Sequence, residues 1–160
     1  MINPSPLEMA EKLGITTKAK NPYYDLIIVG GGPAALMASI YAAREGMETL
    51  VIDRAALGGQ AGTTERLENF PAFPDGISGD ELATRLVQQA HRFEVETLSA
   101  QEVVSIMADG KYRQVSTKSG DSYCAATLLL APGASYKRLG VPGEDSFLGA
   151  GIHSCATCDG

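Results

Sequence analysis

The stretch that decides the fold is residues 23–53, YYDLIIVGGGPAALMASIYAAREGMETLVID. Its residues 24–29 form an apolar, β-branched run, which is typical of a buried strand. An alanine-rich part follows, with Pro33 at its first turn and Gly46 beyond its end, and this pattern predicts a helix. A second apolar run ends at Asp53 and predicts a second buried strand. The stretch is therefore a βαβ unit, whose strands should be parallel neighbours with a right-handed crossover.

A G-x-G-x-x-A motif lies between the first strand and the helix. Gly30 permits a tight turn, Gly32 leaves room for a pyrophosphate to approach the backbone, and Ala35 allows close packing of helix on strand. The start of the helix offers free N–H groups and the positive end of its dipole to phosphates. An acid at the end of the second strand can accept hydrogen bonds from a ribose diol. The motif predicts a dinucleotide site, and the alternative is a glycine-rich turn without a ligand. The candidate binding residues of this region are Gly30, Gly32, Pro33, Ala34, Ala35, Asp53 and Arg54.

The motif does not distinguish NAD(P) from FAD, but the irregular stretch after it is informative. Residues 54–77 are rich in glycine and proline, and so long a loop in a compact domain is usually functional. Gly58 and Gly59 would let the backbone pass close to a flat ring system. The amides of Gln60 and Asn69 can both donate to and accept from the mixed edge of an isoalloxazine. These four residues are candidate flavin contacts, although such a composition is also common in ordinary loops.

Residues 78–93 restore the periodicity of an amphipathic helix, and Ser78 and Glu81 fit a capping box at its start. Its apolar face consists of Leu82, Leu86, Ala90 and Phe93. Short strand-like pieces separated by turn signals follow at residues 94–98, 102–108, 112–118 and 122–131. They predict a small antiparallel meander and then a return strand of the main sheet, Thr127 to Ala131, whose last residue is a further candidate for cofactor binding.

The composition excludes several classes of protein. The chain has 160 residues and a formal net charge of −6, which argues against nucleic acid or an anionic membrane as a partner. No apolar run is long enough to span a bilayer, and residues 1–22 lack the apolar core of a secretory signal. This lead-in is either a tail on the surface or a linker from a preceding domain. A secreted disulfide scaffold usually has a larger and even number of cysteines, and this chain has three. We therefore expect a reducing compartment, the cytoplasm.

The chain ends in a C-x-x-C pair, Cys155 and Cys158, followed directly by Asp159. Such a pair can be half of a metal site, a disulfide staple or a redox couple. His153 would give zinc a third ligand, but a closed site needs a fourth, and Cys124 lies alone in a strand-like run. The nucleotide motif therefore favours a redox couple and no bound metal, with thiolates that react with a substrate through a mixed disulfide.

Four motifs in this order resemble those of the thioredoxin reductase family, the class II FAD-dependent pyridine nucleotide–disulfide oxidoreductases. They are the FAD-binding start IIVGGGPAALMASIYAAREG, the flavin loop GGQAGTTERLENFPAFPDGISGDEL, the return strand and crossover LLLAPGASYKRLGVPGE, and the active-site disulfide CATCDG. The resemblance covers nearly everything from Tyr24 to Gly160. Two positions depart from the family pattern: Ala35 stands where glycine is usual, and Pro132 stands where threonine is usual. The second change removes a hydroxyl and a backbone donor near the flavin.

The resemblance implies an α/β fold, a Rossmann-like FAD-binding domain with three layers, a parallel sheet and a small antiparallel meander. It implies a lead-in at 1–22, the N-terminal part of the FAD domain at 23–148, and the start of an NADPH-binding domain at 149–160. Family members then continue through the NADPH domain and the rest of the FAD domain. The chain thus resembles an incomplete, N-terminal fragment, and we expect it to be inactive alone.

The resemblance also implies FAD and NADPH as cofactors, the NADPH site lying in a C-terminal part outside this sequence. Electrons would pass from NADPH to FAD, then to the Cys155–Cys158 disulfide, and then to thioredoxin or a similar small protein disulfide. Cys158 would lie nearer the flavin, Cys155 would meet the substrate, and Asp159 would handle the thiol proton, unless it only caps a following helix. The expected assembly is a homodimer. The alternatives are a reductase of another carrier (a peroxiredoxin-reducing or fused system), a non-catalytic FAD-binding module and a zinc-stabilised interaction domain.

Overall fold

The structure, a computed structural model, describes residues 4–135, 137–147 and 151–152. Its helices are α1 Pro6–Lys12, α2 Pro33–Arg44, α3 Gly79–Arg92 and α4 Glu144–Phe147, with a short 3₁₀-helix at Gly59–Thr63. Its strands are β1 Tyr23–Val29, β2 Thr49–Ile52, β3 Glu96–Leu98, β4 Val103–Asp109, β5 Tyr112–Thr117 and β6 Ser122–Leu130. Within these residues, no helix is both long enough and apolar enough to cross a membrane.

The predicted βαβ unit is confirmed. Strand β1 lies parallel to β2, with Leu26 opposite Thr49 and Val29 opposite Ile52, and α2 connects the two strands. The six strands form one sheet in the order β3-β2-β1-β6-β5-β4. The first four run parallel to their neighbours, and β4, β5 and the start of β6 pair antiparallel.

One strand of the predicted meander is wrong, and the predicted return strand is confirmed in the main sheet but is not a separate element. The piece at 94–98 contains β3, which extends the parallel part of the sheet beside β2 and does not join the meander. The predicted return strand from Thr127 is the second half of one long strand, Ser122–Leu130. The first half of β6 pairs with β5, and residues 124–130 run parallel to β1, so this strand joins the two parts of the sheet.

The sheet has an apolar core on each face. On one face, Leu26, Ile28 and Val51 pack with the buried sides of α2 and α3. On the other face, Ile27, Leu50 and Leu98 belong to a second cluster, which also includes Val115 and Tyr123 of the antiparallel strands. Because burying one large aliphatic side chain contributes about 1.5–3 kcal/mol, these two clusters are the main source of stability for the sheet and for the turns at its ends.

Helix α3 begins as predicted at the N-cap Ser78, whose hydroxyl accepts a hydrogen bond from the Glu81 backbone N–H. The carboxylate of Glu81 pairs with Arg85 one turn later, whereas the predicted capping box would have had it reach back to Ser78. The predicted apolar positions Leu82, Leu86 and Ala90 are buried, and Phe93 is partly buried. The helix therefore presents its apolar side to α2 and the sheet, as its periodicity requires.

Candidate functional site

The turns at the carboxyl end of the parallel strands meet at one edge of the sheet. The chain leaves β1 at Gly30, whose N–H donates to Ile52 O at 2.8 Å, and β6 ends beside it, where Ala131 N–H donates to Val29 O at 2.8 Å. After β1 the chain continues to β2 on one side, whereas β6 lies on the other side. In open α/β sheets this reversal of strand order creates the crevice in which ligands bind.

A cleft of about 310 Å³ lies at this point, and we call it the switch-point cleft. It is lined by residues 29–30, 52–54, 101–103 and 132–135. Three predicted site residues, Gly30, Asp53 and Arg54, are therefore brought together in its wall. Pro132, the position that departs from the family pattern, also lines the cleft.

The glycines of the motif are required for different reasons. Gly30 has φ +109°, and a Cβ there would lie 2.0 Å from Ala131 O. A Cβ on Gly31 would collide with the Leu57 side chain at 2.6 Å. A Cβ on Gly32, by contrast, would have no described atom nearer than 4.0 Å apart from its neighbours along the chain, and the atom at that distance is the Cα of Gly59. The protein's own packing explains glycine at 30 and 31 but not at 32, where the open space fits a group from outside the chain.

Asp53 connects the two turns of the βαβ unit. Its Oδ2 accepts from the Gly31 backbone N–H at 2.5 Å, and its Oδ1 accepts from the Ala55 N–H at 2.7 Å. The carboxylate is half-buried and lines the cleft. Each carboxylate oxygen has more than one lone pair, so both can accept a further hydrogen bond from a hydroxyl group.

Helix α2 begins directly after the glycine turn, and residues 32–35 are not among those that line the cleft. Gly32 is the N-cap and makes no side-chain cap, and Pro33 occupies the first helical position, where its missing N–H costs nothing. Ala34 is exposed, whereas Ala35 is fully buried in the core cluster under the sheet. The small Ala35 side chain therefore allows close helix packing, as the motif predicts.

The predicted flavin loop contacts the turn after β1 through its glycines. Gly58 N–H donates to Gly31 O at 2.8 Å, and a Cβ on Gly59 would lie 2.9 Å from the Cα of Gly32. A Cβ on Gly58 would lie 2.5 Å from the Cβ of Ala83 in α3. Both glycines are thus required by contacts within the protein, whatever ring lies beside them.

The two amides of this loop have different positions. Gln60 Nε2 donates to Ala134 O at 3.4 Å, so the loop contacts the cleft wall formed by 132–135. Asn69 is exposed and lines a separate hollow of about 400 Å³ formed by residues 68–74. The structure therefore places Gln60 against a residue of the cleft wall, whereas Asn69 lies elsewhere, and neither amide is itself among the residues that line the cleft.

The chain that leaves the cleft wall is folded back by Glu144. Its carboxylate accepts from the Leu139 N–H at 2.9 Å and from the Gly140 N–H at 2.8 Å. These two backbone donors lower the pKa of Glu144 from its usual value. Glu144 thus fixes the turn between the cleft and the last residues of the chain.

Sequence reasoning missed Gln101, which lines the cleft and is 3% exposed. It lies three residues after β3, and it was missed because residues 94–98 were assigned to the meander. Because β3 lies parallel to β2, its carboxyl end is at the same edge of the sheet as Asp53. A parallel pairing of β3 with β2 would therefore have indicated that Gln101 lies at the cleft.

The predicted redox residues Cys155, Cys158 and Asp159, and His153 beside them, lie outside the described residues. Cys124 is half-buried in β6, opposite Tyr23 of β1.

The parallel sheet, the glycine turn and the cleft at the switch point define an α/β protein of the Rossmann-like, dinucleotide-binding class. The family model described as pyridine nucleotide-disulphide oxidoreductase matches residues 24–160, and the chain belongs to that family.

The relatives of the chain are named thioredoxin reductases. The chain is 43% identical to the thioredoxin reductase of Treponema pallidum over 86% of its own length and 44% of the relative's. It is 39% identical to the bifunctional thioredoxin reductase/thioredoxin of Mycobacterium leprae, over 92% of this chain and 32% of that one. The crystal structure of thioredoxin reductase from Streptococcus pyogenes superposes with a TM-score of 0.78 at 41% identity, over 88% of this chain and 45% of that one. The chain therefore spans less than half the length of these relatives.

Proposed function

We propose that the switch-point cleft binds the ADP half of FAD and that the whole protein is an FAD-dependent disulfide reductase. In a protein of the relatives' length, electrons would pass from NADPH through FAD to the Cys155–Cys158 pair and on to thioredoxin or a similar small protein disulfide. The observation that carries the proposal is the open space at Gly32, beside a helix N-terminus and the carboxylate of Asp53.

The described residues fit the cofactor. The N–H groups at the start of α2 can donate to a pyrophosphate that approaches Gly32, and Asp53 keeps lone pairs for ribose hydroxyls. Gln60, which contacts the cleft wall at Ala134, and the glycines before it are expected to lie toward the flavin ring. Bound FAD supplies the two-electron chemistry that links a nicotinamide to a disulfide.

The chain's own cysteines complete the proposed reaction. The Cys155 thiolate attacks one sulfur of the substrate disulfide and forms a mixed disulfide, while the other substrate sulfur leaves as a thiolate. Cys158 then displaces the substrate, which leaves the pair oxidised and the substrate with two thiols. Asp159 moves the thiol proton. The names of the relatives support thioredoxin as the substrate, since one of them is fused to a thioredoxin. A homodimer in a reducing compartment, the cytoplasm, belongs to the same proposal.

The cofactor part is tested by titrating the chain with FAD and with ADP, using two glycine variants as a matched pair. Gly32→Ala adds a methyl group where the protein has room, and its poorer N-cap offsets the reduced entropy of the unfolded chain, so we expect stability within about 1 kcal/mol of wild type and at least about tenfold weaker binding. Gly110→Ala lies at the tip of the β4–β5 hairpin with φ +56°, so we expect it to lower stability by about 1 kcal/mol and leave binding unchanged. Equal binding by wild type and Gly32→Ala would refute the phosphate site.

The reductase part is tested in a protein of the relatives' length, mixed with NADPH and oxidised thioredoxin. We expect thioredoxin thiols to appear with wild type and not with Cys155→Ser. FAD bound with no loss of the substrate disulfide would refute the substrate and keep the cofactor.

A further inference from the structure

Strand β4 forms one edge of the sheet, and its outer side has no neighbouring strand among the described residues. Residues 103–108, VVSIMA, carry no charge. Three of their large apolar side chains are open to solvent: Val104 is 57% exposed, Met107 is 53% exposed and Ile106 is 42% exposed. An exposed apolar edge is a template for pairing with another strand, and most proteins protect such an edge with charges, proline or a covering element.

The backbone groups that point away from the sheet belong to Ile106 and Ala108. The hairpin from β4 to β5 turns through residues 110–111 alone, so Asp109 and Tyr112 form a hydrogen-bonded pair that closes it. Along an antiparallel strand, the backbone groups of alternate residues face the neighbouring strand. Counting back from Asp109, every second residue therefore faces β5, and the residues between them present free N–H and C=O groups at the edge.

Ile106 and Ala108 also lie on the core side of β4. Ile106 is opposite Val115, which is fully buried in the second core cluster. Opposite residues of two paired strands share a face, and so do alternate residues of one strand. Ile106 and Ala108 therefore extend the apolar face of the core beyond Val115, and a further strand beside β4 would cover them.

We propose that β4 pairs antiparallel with β4 of a second copy of this chain, about a two-fold axis at Met107. Ile106 of each copy then faces Ala108 of the other, and these two pairs form about four backbone hydrogen bonds. The β-bulge between Val103 and Ser105 lies outside this ladder. The inference assigns a surface to the contact between two copies, which the proposed homodimer leaves open, and it does not depend on the cofactor site.

The charges at the two ends of β4 are compatible with this register. Glu102 is opposite Tyr112 of the second copy, and Lys111 is opposite Val103. No charged residue of β4 or of its turn is then opposite a charge of the same sign, an arrangement that would destabilise the pair. The uncharged residues 103–108 thus supply both strands of the contact, and a second copy is the partner that fits them.

The test measures sedimentation of the chain over a wide range of concentrations. We expect wild type to form a dimer, and we expect Ile106→Lys to weaken the dimer at least about tenfold, because it adds a charge to the paired edge of each copy. Met37→Lys is the matched control, since Met37 lies on α2 and is 39% exposed. This control should form the dimer like wild type.

A second pair of variants tests the backbone contact. Ala108→Pro removes an N–H that faces solvent in the single chain, a change that an edge strand tolerates, and it should prevent dimer formation. Ala108→Ser keeps this N–H and should leave the dimer unchanged. The register is tested by Met107→Cys, because opposite Cα atoms of a non-hydrogen-bonded pair lie about 4.5 Å apart, within the reach of a disulfide. Peptide mapping after mild oxidation should find a disulfide between the two substituted positions.

Loss of the dimer in Ile106→Lys and Ala108→Pro, with both controls dimeric and every variant folded by circular dichroism, supports the inference. If Ala108→Pro does not fold, Ile106→Lys and the disulfide decide. A monomeric wild type, or a dimer that Ile106→Lys leaves intact, overturns the β4 contact. A homodimer of a protein of the relatives' length that survives Ile106→Lys also overturns it and leaves the proposed homodimer standing. FAD titration of Ile106→Lys should match wild type, so failure of the cofactor site is seen separately.

Discussion

At the scale of single residues, Asp53 has a structural role that does not depend on a ligand: its carboxylate holds two turns together. Both of its carboxylate oxygens accept backbone N–H groups, one from the glycine turn after β1 and one from the turn after β2. An acid at this position therefore fixes the geometry of the glycine turn in the absence of any ligand. The same residue type satisfies both needs, because a carboxylate has four lone-pair sites.

We expect Asp53→Asn to lower the free energy of unfolding by about 1–3 kcal/mol, since one of the two N–H donors would face an amide N–H₂. The matched control is Asp25→Asn, because Asp25 accepts one backbone N–H, from Glu48 at 2.9 Å, which an asparagine oxygen can also accept. Urea unfolding measures both variants. Equal midpoints for Asp53→Asn and wild type would contradict the structural role.

The sequence predicted the cleft residues that follow from spacing and missed one that depends on register. Gly30, Gly32 and Asp53 are recognisable because the βαβ unit is contiguous, and local pattern determines their positions. Gln101 reaches the same cleft through the pairing of β3 with β2, more than forty residues earlier in the chain. A three-residue strand carries too little pattern to show which strand it pairs with.

At the scale of elements, strand β6 shows why the meander was divided wrongly. Its first residues alternate between buried and exposed as in an antiparallel strand, and its last residues are an apolar run as in a parallel strand. These two signals suggested two elements, although one continuous strand has a different neighbour in each half. The periodicity of the sequence indicates which residues of a strand are buried. Whether two segments form one continuous strand depends on the backbone hydrogen bonds to the neighbouring strands, here β5 and β1.

The loop at 54–77 contains a residue in an unfavourable backbone conformation. Ala72 has φ +74°, a left-handed value that costs a residue with a Cβ about 1–2 kcal/mol. We expect Ala72→Gly to raise the free energy of unfolding by up to about 1 kcal/mol, after the larger entropy of the unfolded glycine chain is subtracted. Thermal unfolding would then shift upward by about 2–4 °C.

Gly76 in the same loop is the matched control, because it also has φ +74°. A Cβ there would lie 3.1 Å from Leu67 O, next to the backbone pair that joins Leu67 and Ile77. Gly76→Ala should therefore destabilise the protein. Opposite signs for the two variants are expected, and a stabilising Gly76→Ala would contradict the strain argument.

At the scale of the whole molecule, the lead-in is attached to the sheet more closely than the sequence predicted. Ala19 N–H donates to the Tyr123 hydroxyl at 3.2 Å, and Lys20 N–H donates to Glu96 Oε1 at 2.8 Å. Residues 1–22 are largely polar, which is the pattern of a tail or linker. The sequence does not reveal the partners of Ala19 and Lys20, because these lie 104 and 76 positions away in the chain. Domain boundaries at 22 and 148 therefore stay a prediction.

Tyr24 connects this lead-in with strand β3. Its side chain is 2% exposed, its hydroxyl donates to Glu96 Oε2 at 2.7 Å, and it accepts from Asn21 N–H at 3.1 Å. Burial, and after it the hydrogen bond to Glu96, raises the pKa of Tyr24 above its ordinary value of 10.0. A raised pKa in the folded state means that the unfolded chain loses this proton first as the pH increases.

The contribution of Tyr24 is therefore complete below about pH 10 and is lost as the pH rises from there toward the folded pKa. We expect Tyr24→Phe to lower the free energy of unfolding at neutral pH by about 0.5–1.5 kcal/mol, because the two hydrogen bonds disappear. Its alkaline loss of stability should be shallower than that of wild type. Part of the pH dependence of stability will remain in Tyr24→Phe, because burial also raises the pKa of Tyr123.

Urea unfolding between pH 7 and 11 measures this pH dependence, with Tyr41→Phe as the control, since Tyr41 is 61% exposed. If Tyr24→Phe loses stability above pH 10 as steeply as wild type, the lead-in is not held to the sheet through this tyrosine in the way the structure indicates.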